Sequence, residues 1–275
     1  MFLKSSIIPK TRFGDKLVCY FRFIKKHKRF PRKEGFNDLL FNIKITDEIC
    51  LPERQFISDK EYVKYFIGAC VGNDFNIPTK AILKNENEIL GYEYQKNDVI
   101  KPTHASGLVD IISNASDINK KKYIEWLKVD YYMISREYNY RWLNKKIIVE
   151  PLVFGQRNIN DIKFFCLHGS VRFIQVDVDR NIQHRRNIYD RDWNNLKVSL
   201  CYPLSEKIIQ KPKNLKDMIY LAEKLSASFS SLRVDMYYDE KTGKLAIGEL
   251  TNCHGSAHEK FASTDQENRI NQLFK

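Results

Sequence analysis

Two strand–turn–strand stretches constrain the fold of this 275-residue chain more than anything else in it. Ile162 to Leu167 runs into the turn His168-Gly169 and returns as Val171 to Val176. Leu232 to Tyr238 runs into Asp239 to Gly243 and returns as Lys244 to Leu250. Each reads as a β-hairpin, which commits its two arms to antiparallel pairing. Elsewhere strands and helices do not alternate strictly. The pattern therefore predicts an α+β fold rather than a doubly wound parallel sheet.

Residues 1–57 are basic and aromatic without a clear period and read as short helices capping the core. Phe21, Ile24 and Phe30 are expected on one helix face ahead of Pro31. Ser58 or Asp59 reads as the N-cap of a helix over Lys60 to Cys70, with Tyr62, Val63, Phe66 and Ile67 at helical spacing. Gly72 and Asn73 end it. Pro78 to Leu83 and Asp98 to Pro102 read as strands. A small polar loop, Thr103 to Gly107, separates the second from the apolar run Leu108 to Ile112. Ile118 to Trp142 is expected to be helical. Lys146 to Pro151 is expected as a strand, and Leu215 to Phe229 as an amphipathic helix.

Hydrophobic residues make up 43% of the chain and charged ones 29%, a globular composition. No window approaches the ~20 consecutive apolar residues of a membrane-spanning helix. No signal-peptide core precedes Lys10 and Arg12, so a cytoplasmic location is expected. The six cysteines form no C-x-x-C pair, and neither disulfide nor structural zinc is expected. A formal net charge of +12 points to an anionic partner without identifying it. Part of the surplus lies in Arg22, Lys25, Lys26, Lys28, Arg29, Arg32 and Lys33. That stretch reads as a solvated basic face or as a surface for the anionic inner membrane, a weak association.

Three constellations have chemical content. In Ile100-Lys101-Pro102-Thr103-His104-Ala105-Ser106-Gly107, a lysine at a strand end precedes a donor-rich loop. The segment suits a phosphate, or is a plain polar turn. In Arg233-Val234-Asp235, residues 233 and 235 share a strand face, and the hairpin return brings Glu249 near Asp235. Two such carboxylates hold Mg²⁺ with help from substrate phosphates, or simply pair with the arginine. The third, Gln175 to Arg180 with His184, Arg185 and Arg186, is a site for an anionic substrate or a half-exposed strand and solvated loop.

Taken in order, these elements resemble the ATP-grasp superfamily. Within it they look like the TupA-like branch, typified by teichuronopeptide-synthesis proteins of bacterial surface-polysaccharide genes. The matching stretches are Ser58 to Val63, Val99 to Gly107, Asp161 to Cys166, Phe173 to Arg180 through Tyr189 to Trp193, and Arg233 to Asp235 through Gly248 to Thr251. The resemblance implies a fold of two α+β subdomains clasping ATP. Residues 1–57 would be a basic helical extension, 58–146 the N-terminal subdomain, and 147–275 the C-terminal subdomain with the Mg²⁺ and acceptor sites.

By the same resemblance, Lys60 and Lys101 match the lysines on the ATP phosphates. Thr103, His104, Ser106 and Gly107 match the loop over those phosphates. Glu150 matches the hinge acid at the adenine edge. Asp161 matches the ribose acid, with Lys163 beside it. Asp235 and Glu249 match the Mg²⁺ carboxylates, and Arg233 the arginine facing the acyl-phosphate. Thr251 stands where many relatives carry a metal-binding Asn, which leaves Asn252 as an alternative ligand. Asp177, Asp179, Arg180, His184, Arg185, Arg186 and Ser256 are the expected acceptor-binding residues.

The implied reaction is Mg-ATP-dependent carboxylate–amine ligation through an acyl-phosphate. It would join an amino acid or small amino alcohol to a uronic acid in a sugar, sugar nucleotide or polysaccharide. A glycosyltransferase or kinase of the same pathway is the rival reading. Nucleic acid is not an expected partner, because the basic residues form no recognised binding motif.

Overall fold

Both expected hairpins are present, and they lie in one sheet. A computed structural model describes residues 8–157, 159–178 and 183–274. The chain divides into two units, one of residues 50–159 and one of residues 1–49 with 160–275. The three-segment division expected from sequence cuts the chain differently. Residues between 19 and 45 share a core with the second half, and the strand at 147–151 pairs inside the 50–159 unit.

Two helices lead the chain, α1 (Arg12–His27) and α2 (Phe36–Ile45). Thr11 caps α1 by accepting a hydrogen bond from the Gly14 amide at 3.1 Å. The buried face of α1 is Val18, Cys19 and Phe23, with the Phe23 ring 4.9 Å from Phe41 of α2. Phe21 and Ile24 share a face of α1 as expected, but Phe30 lies beyond the helix end; Phe21 and Phe30 are 56% and 74% exposed. Aromatic residues stand on both sides of α1, so periodicity alone does not choose between them; the packing of α2 does. Arg29 is not a solvated cation either: it donates to both oxygens of Asp38 and to Glu267.

The unit of residues 50–159 carries α3 (Pro52–Phe56), α4 (Tyr62–Val71), β1 (Ala81–Leu83), α5 (Glu86–Gly91), β2 (Asp98–Pro102), β3 (Asp110–Ile111), α6 (Lys120–Lys128), α7 (Tyr131–Ser135) and β4 (Ile147–Pro151). Its strands form an antiparallel sheet in the order β1-β4-β2-β3. Leu83, Ile89, Ile100, Ile112, Tyr123, Trp126, Ile147 and Val149 make its core. Asp59 turns the chain into α4, its Oδ1 accepting from the Glu61 amide at 2.8 Å. The helix expected over Ile118 to Trp142 is broken. Val129 is extended, Asp130 caps α7, and Arg136 ends it at φ 55°.

The other unit adds β5 (Asn160–Leu167), β6 (Ser170–Val178), β7 (Arg185–Tyr189), α8 (Leu215–Ser226), β8 (Ser231–Tyr238), β9 (Leu245–Thr251) and α9 (Thr264–Leu273). The sheet order is β7-β6-β5-β8-β9, antiparallel throughout. His168 and Gly169, at φ 47° and 72°, form the first hairpin turn. Helix α8 packs against β5, β6 and β8, with the Cys166 thiol on the Ala222 carbonyl. The opposite sheet face has two halves. Its apolar half, Phe165, Phe173 and Ile188, joins Phe23, Phe36, Leu40 and Phe41 in one core. Two residues further along each strand that face turns polar and charged: Lys163 and Asp161 on β5, Gln175 and Asp177 on β6, Arg186 on β7. The α+β expectation holds. Among the described residues, no helix is long and apolar enough to cross a membrane.

Candidate functional site

The expected site residues fall into two sets, one in each unit. Lys60, Lys101, Thr103, His104, Ser106, Gly107 and Glu150 belong to residues 50–159. Lys101 leaves β2 and meets Glu150 of β4, Nζ to Oε2, at 2.9 Å. Lys64 of α4 takes the other oxygen at 2.5 Å, and also donates to the Ile77 carbonyl and the Thr79 hydroxyl. Burial would raise the Glu150 carboxyl, but the Lys101 and Lys64 ammoniums outweigh it and hold the group below its ordinary range. Lys60 is tied to the loop that follows β2. Its Nζ donates to the Ala105 carbonyl at 2.6 Å, and its amide to the Thr103 carbonyl at 3.2 Å.

Within that loop, Thr103 and His104 turn inward. The Thr103 hydroxyl donates to Asp59 at 3.3 Å, and Asp59 also meets the Lys146 ammonium at 3.1 Å. His104 is buried, and neither ring nitrogen has a hydrogen-bond partner among the described residues. Ser106 is half-buried, and Gly107 is exposed at φ 80° with nothing near where a Cβ would stand. The solvent-facing part of the loop is thus Ser106-Gly107. Sequence reasoning missed Lys64, although its place four residues after Lys60, in a segment expected to be helical, was a usable signal.

Burial, with Lys145 and Lys60 nearby, lowers the His104 imidazole from 6.5 to about 4. In the other unit, burial lowers His258 to about 3, helped by Lys44, Arg22, His27 and Lys26. The fold favours both rings neutral, so below pH 6.5 the unfolded chain takes up protons first and stability falls with pH. At about pH 5 each ring is expected to cost about 1–2 kcal/mol, after allowance for solvent screening. Urea unfolding at neutral and acidic pH checks this. His104→Gln should shrink the acid loss of the 50–159 unit; an unchanged loss would contradict the assignment.

Asp161, Lys163, Asp177, His184, Arg185, Arg186, Arg233, Asp235, Glu249, Asn252 and Ser256 belong to the other unit. Asp179 and Arg180 lie outside the described residues. Asp161 stands opposite Asp177, Lys163 opposite Asp235, and Asp235 opposite Glu249. The Lys163 ammonium sits among three carboxylates. It bonds Asp161 directly and lies 3.5 Å from Asp177 and 3.6 Å from Asp235. Arg233 grips Asp235 in a two-pronged pair, 2.6 Å on each prong, and lies 3.8 Å from Glu249. Burial would raise Asp235; Arg233 and Lys163 outweigh it and hold it below the ordinary range.

A third arm of this network is one the sequence does not announce. Arg233 Nη1 bonds His254 Nδ1, His254 Nε2 lies 2.7 Å from Glu259, and Glu259 lies 2.6 Å from Arg186. Arg186 then reaches Asp177 at 2.8 Å, which closes a ring through Lys163 and Asp235. An arginine only donates, so His254 Nδ1 accepts, and Nε2 carries the hydrogen given to Glu259. A neutral imidazole is what burial of His254 favours. Burial would raise Glu259, but His254 and Arg186 bring it to about 2.

Three expected residues stand apart from this ring. Strand alternation separates Arg185 from Arg186, and Arg185 donates to the Leu204 carbonyl. Asn252 is buried beyond the end of β9. Ser256, at φ 57°, accepts from buried Lys44. Gly255 before it is required: a Cβ there would meet Glu259 at 2.5 Å. His184 stacks on Tyr202, with Nε2 3.2 Å from Asp177.

The donor set fits Mg²⁺, which is ordinarily held by one or two carboxylates together with substrate phosphates. Asp235 and Glu249 are direct cross-strand neighbours, and Glu249 keeps about a third of its side chain exposed. The buried Thr251 hydroxyl has no hydrogen-bond partner among the described residues, and it shares Glu249's strand face. Among the described residues no group of three or more His, Cys, Asp or Glu could hold a metal without such help.

A family model described as TupA-like ATPgrasp matches residues 40–275. No curated protein matches the chain. Among solved structures, the chain is similar to an L-amino acid ligase from Bacillus licheniformis at 14% identity. The match covers 88% of this chain and 55% of that one, with a TM-score of 0.50. It is similar to a D-alanine-D-alanine ligase from Helicobacter pylori at 11% identity, over 74% and 53%, with a TM-score of 0.42. It is also similar to the ATP-grasp ligase PsnB, solved with a phosphomimetic variant of its minimal precursor, Mg and ADP. There the identity is 10%, over 83% and 61%, with a TM-score of 0.42. The chain spans little more than half the length of these structures. At 14% identity the likeness to the L-amino acid ligase concerns the fold alone.

Proposed function

The chain belongs to the TupA-like ATP-grasp family and has the ATP-grasp fold, and from that premise we propose that it is an ATP-dependent carboxylate–amine ligase. The observation that carries the reading is the pair Asp235 and Glu249, facing each other across β8 and β9 with Arg233 clamped between them. A substrate carboxylate oxygen attacks the γ-phosphorus of ATP, and the bond to the bridging oxygen breaks to release ADP. An amine then attacks the acyl carbon, phosphate leaves, and the amine gives up a proton.

Roles follow unit by unit. Lys101 and Lys60 meet phosphate oxygens, and Glu150 with Lys64 keeps Lys101 positioned until the nucleotide arrives. The Thr103 to Gly107 loop covers the phosphates and excludes water, which would hydrolyse the acyl-phosphate. Asp235 and Glu249 hold Mg²⁺, which supplies positive charge to the phosphates when bound. Arg233 faces the acyl-phosphate, already oriented by Asp235 and His254. Asp161 and Lys163 take part in nucleotide binding. Asp177, His184 and Arg186 form the acceptor side. The acceptor in this proposal is a uronic acid of a surface polysaccharide or its sugar nucleotide, and the amine an amino acid or small amino alcohol.

The test is incubation with ATP, Mg²⁺, a nucleotide-linked uronate and a mixture of amines. Substrate-dependent ADP and phosphate should appear, with a product heavier by the amine less water. AMP and pyrophosphate, or no turnover with any carboxylate, would overturn the reading. Lys101→Ala should lower turnover about tenfold to a hundredfold. Because Lys64 still pairs with Glu150, its thermal transition should stay near that of the parent protein.

A further inference from the structure

The solvent face of α1 is apolar where an ordinary surface helix is polar. Phe13, Leu17, Tyr20 and Phe21 are 72%, 36%, 39% and 56% exposed. They stand at i, i+4, i+7 and i+8, and half-buried Ile24 follows at i+11. At 3.6 residues per turn these positions form one stripe. The opposite face, Val18, Cys19 and Phe23, is locked into the core, so the helix cannot roll its stripe inward. Phe30, just past the helix, is also mostly exposed.

Charge borders the stripe. Lys16 lies along one edge, Lys25 along the other, and Lys28 at the carboxyl end. The one acid in α1, Asp15, is fully buried, so no carboxylate of the helix faces solvent. An apolar stripe between cations complements a surface that offers both negative charge and an apolar layer beneath it. A second copy of the chain fits less well. A two-fold contact would set this patch against itself and lysines against lysines.

We propose that α1 docks along an anionic lipid surface, with Phe13, Leu17, Tyr20 and Phe21 entering the headgroup boundary and Lys16, Lys25 and Lys28 over the phosphates. This contact does not depend on the ligase reading, because neither ATP nor acceptor takes part in it.

The full chain would be sedimented with phosphatidylglycerol–phosphatidylcholine vesicles and with phosphatidylcholine vesicles, at low and high salt. Binding to the anionic vesicles should be about tenfold or more stronger, and salt should weaken it. Phe13→Ser/Phe21→Ser should lower that binding about tenfold or more without moving the thermal transition. Lys16→Gln/Lys25→Gln/Lys28→Gln should remove the preference for anionic lipid. Failure of the parent chain to bind anionic vesicles would overturn the proposal, as would unchanged binding by the phenylalanine variant. A dimer that dissociates in that variant, without vesicle binding, would assign the stripe to a second copy instead.

Discussion

Glu249→Gln is expected to lower substrate-dependent ADP release on the order of 10²–10³-fold while leaving the protein folded. The two halves of this expectation come from different features of one side chain. Glu249 faces Asp235 across β8 and β9, so its carboxylate is half of the charge available to a divalent cation there. It is also about a third exposed, and its ion-pair contact with Arg233 is long, 3.8 Å. With the carboxylate partly exposed and the contact that long, the pair contributes little, on the order of 1 kcal/mol. Asp235→Asn differs, because Asp235 is buried and doubly bonded to Arg233. Removing its charge strands a buried guanidinium, and both activity and stability should fall. The check is ADP release against Mg²⁺ concentration, beside thermal melts, for both variants. A Glu249→Gln enzyme with near-parent turnover at all Mg²⁺ concentrations would remove Glu249 from the site.

How far the sequence anticipates this site depends on what kind of neighbour is asked for. Hairpin partners were legible, since strand alternation and a short turn bring Asp235 opposite Glu249 and keep Arg233 on Asp235's face. Neighbours across strands from different hairpins were not. Lys163 meets Asp177 and Asp235 because β5 lies between β6 and β8, and strand order is a property of the whole sheet. Glu259 reaches Arg186 and His254 from the irregular segment after β9, where no period exists to read. The same limit applies to α1. Its helical spacing was visible, but only the packing of Phe23 on Phe41 decides which aromatic face is buried. The break in the helix expected from Ile118 to Trp142 had a local signal, the capping residue Asp130, that the run of aromatic residues obscured.

Lys163→Met is expected to destabilise its unit by about 3–5 kcal/mol, the usual cost of removing one partner from a buried ion pair. The lysine is nearly fully buried and bonds Asp161, with Asp177 and Asp235 also close. Methionine fills much the same volume, so the loss isolates charge rather than packing. Its pH dependence separates this account from a packing defect. Asp235 is depressed in the fold, so its ionised form stabilises the parent above the ordinary carboxylate range, and that stability is lost as pH falls through the depressed value. In the variant one of its two cations is gone, so its carboxyl titrates higher and protonation relieves the strain sooner. The gap in unfolding midpoint between parent and variant should therefore be widest near neutral pH and narrow toward about pH 4. Asp161→Asn added to Lys163→Met should recover part of the loss, because it removes a carboxylate that the lysine had neutralised. A gap independent of pH, with no recovery in the double variant, would mean that Lys163 acts through packing and that the three carboxylates are balanced elsewhere.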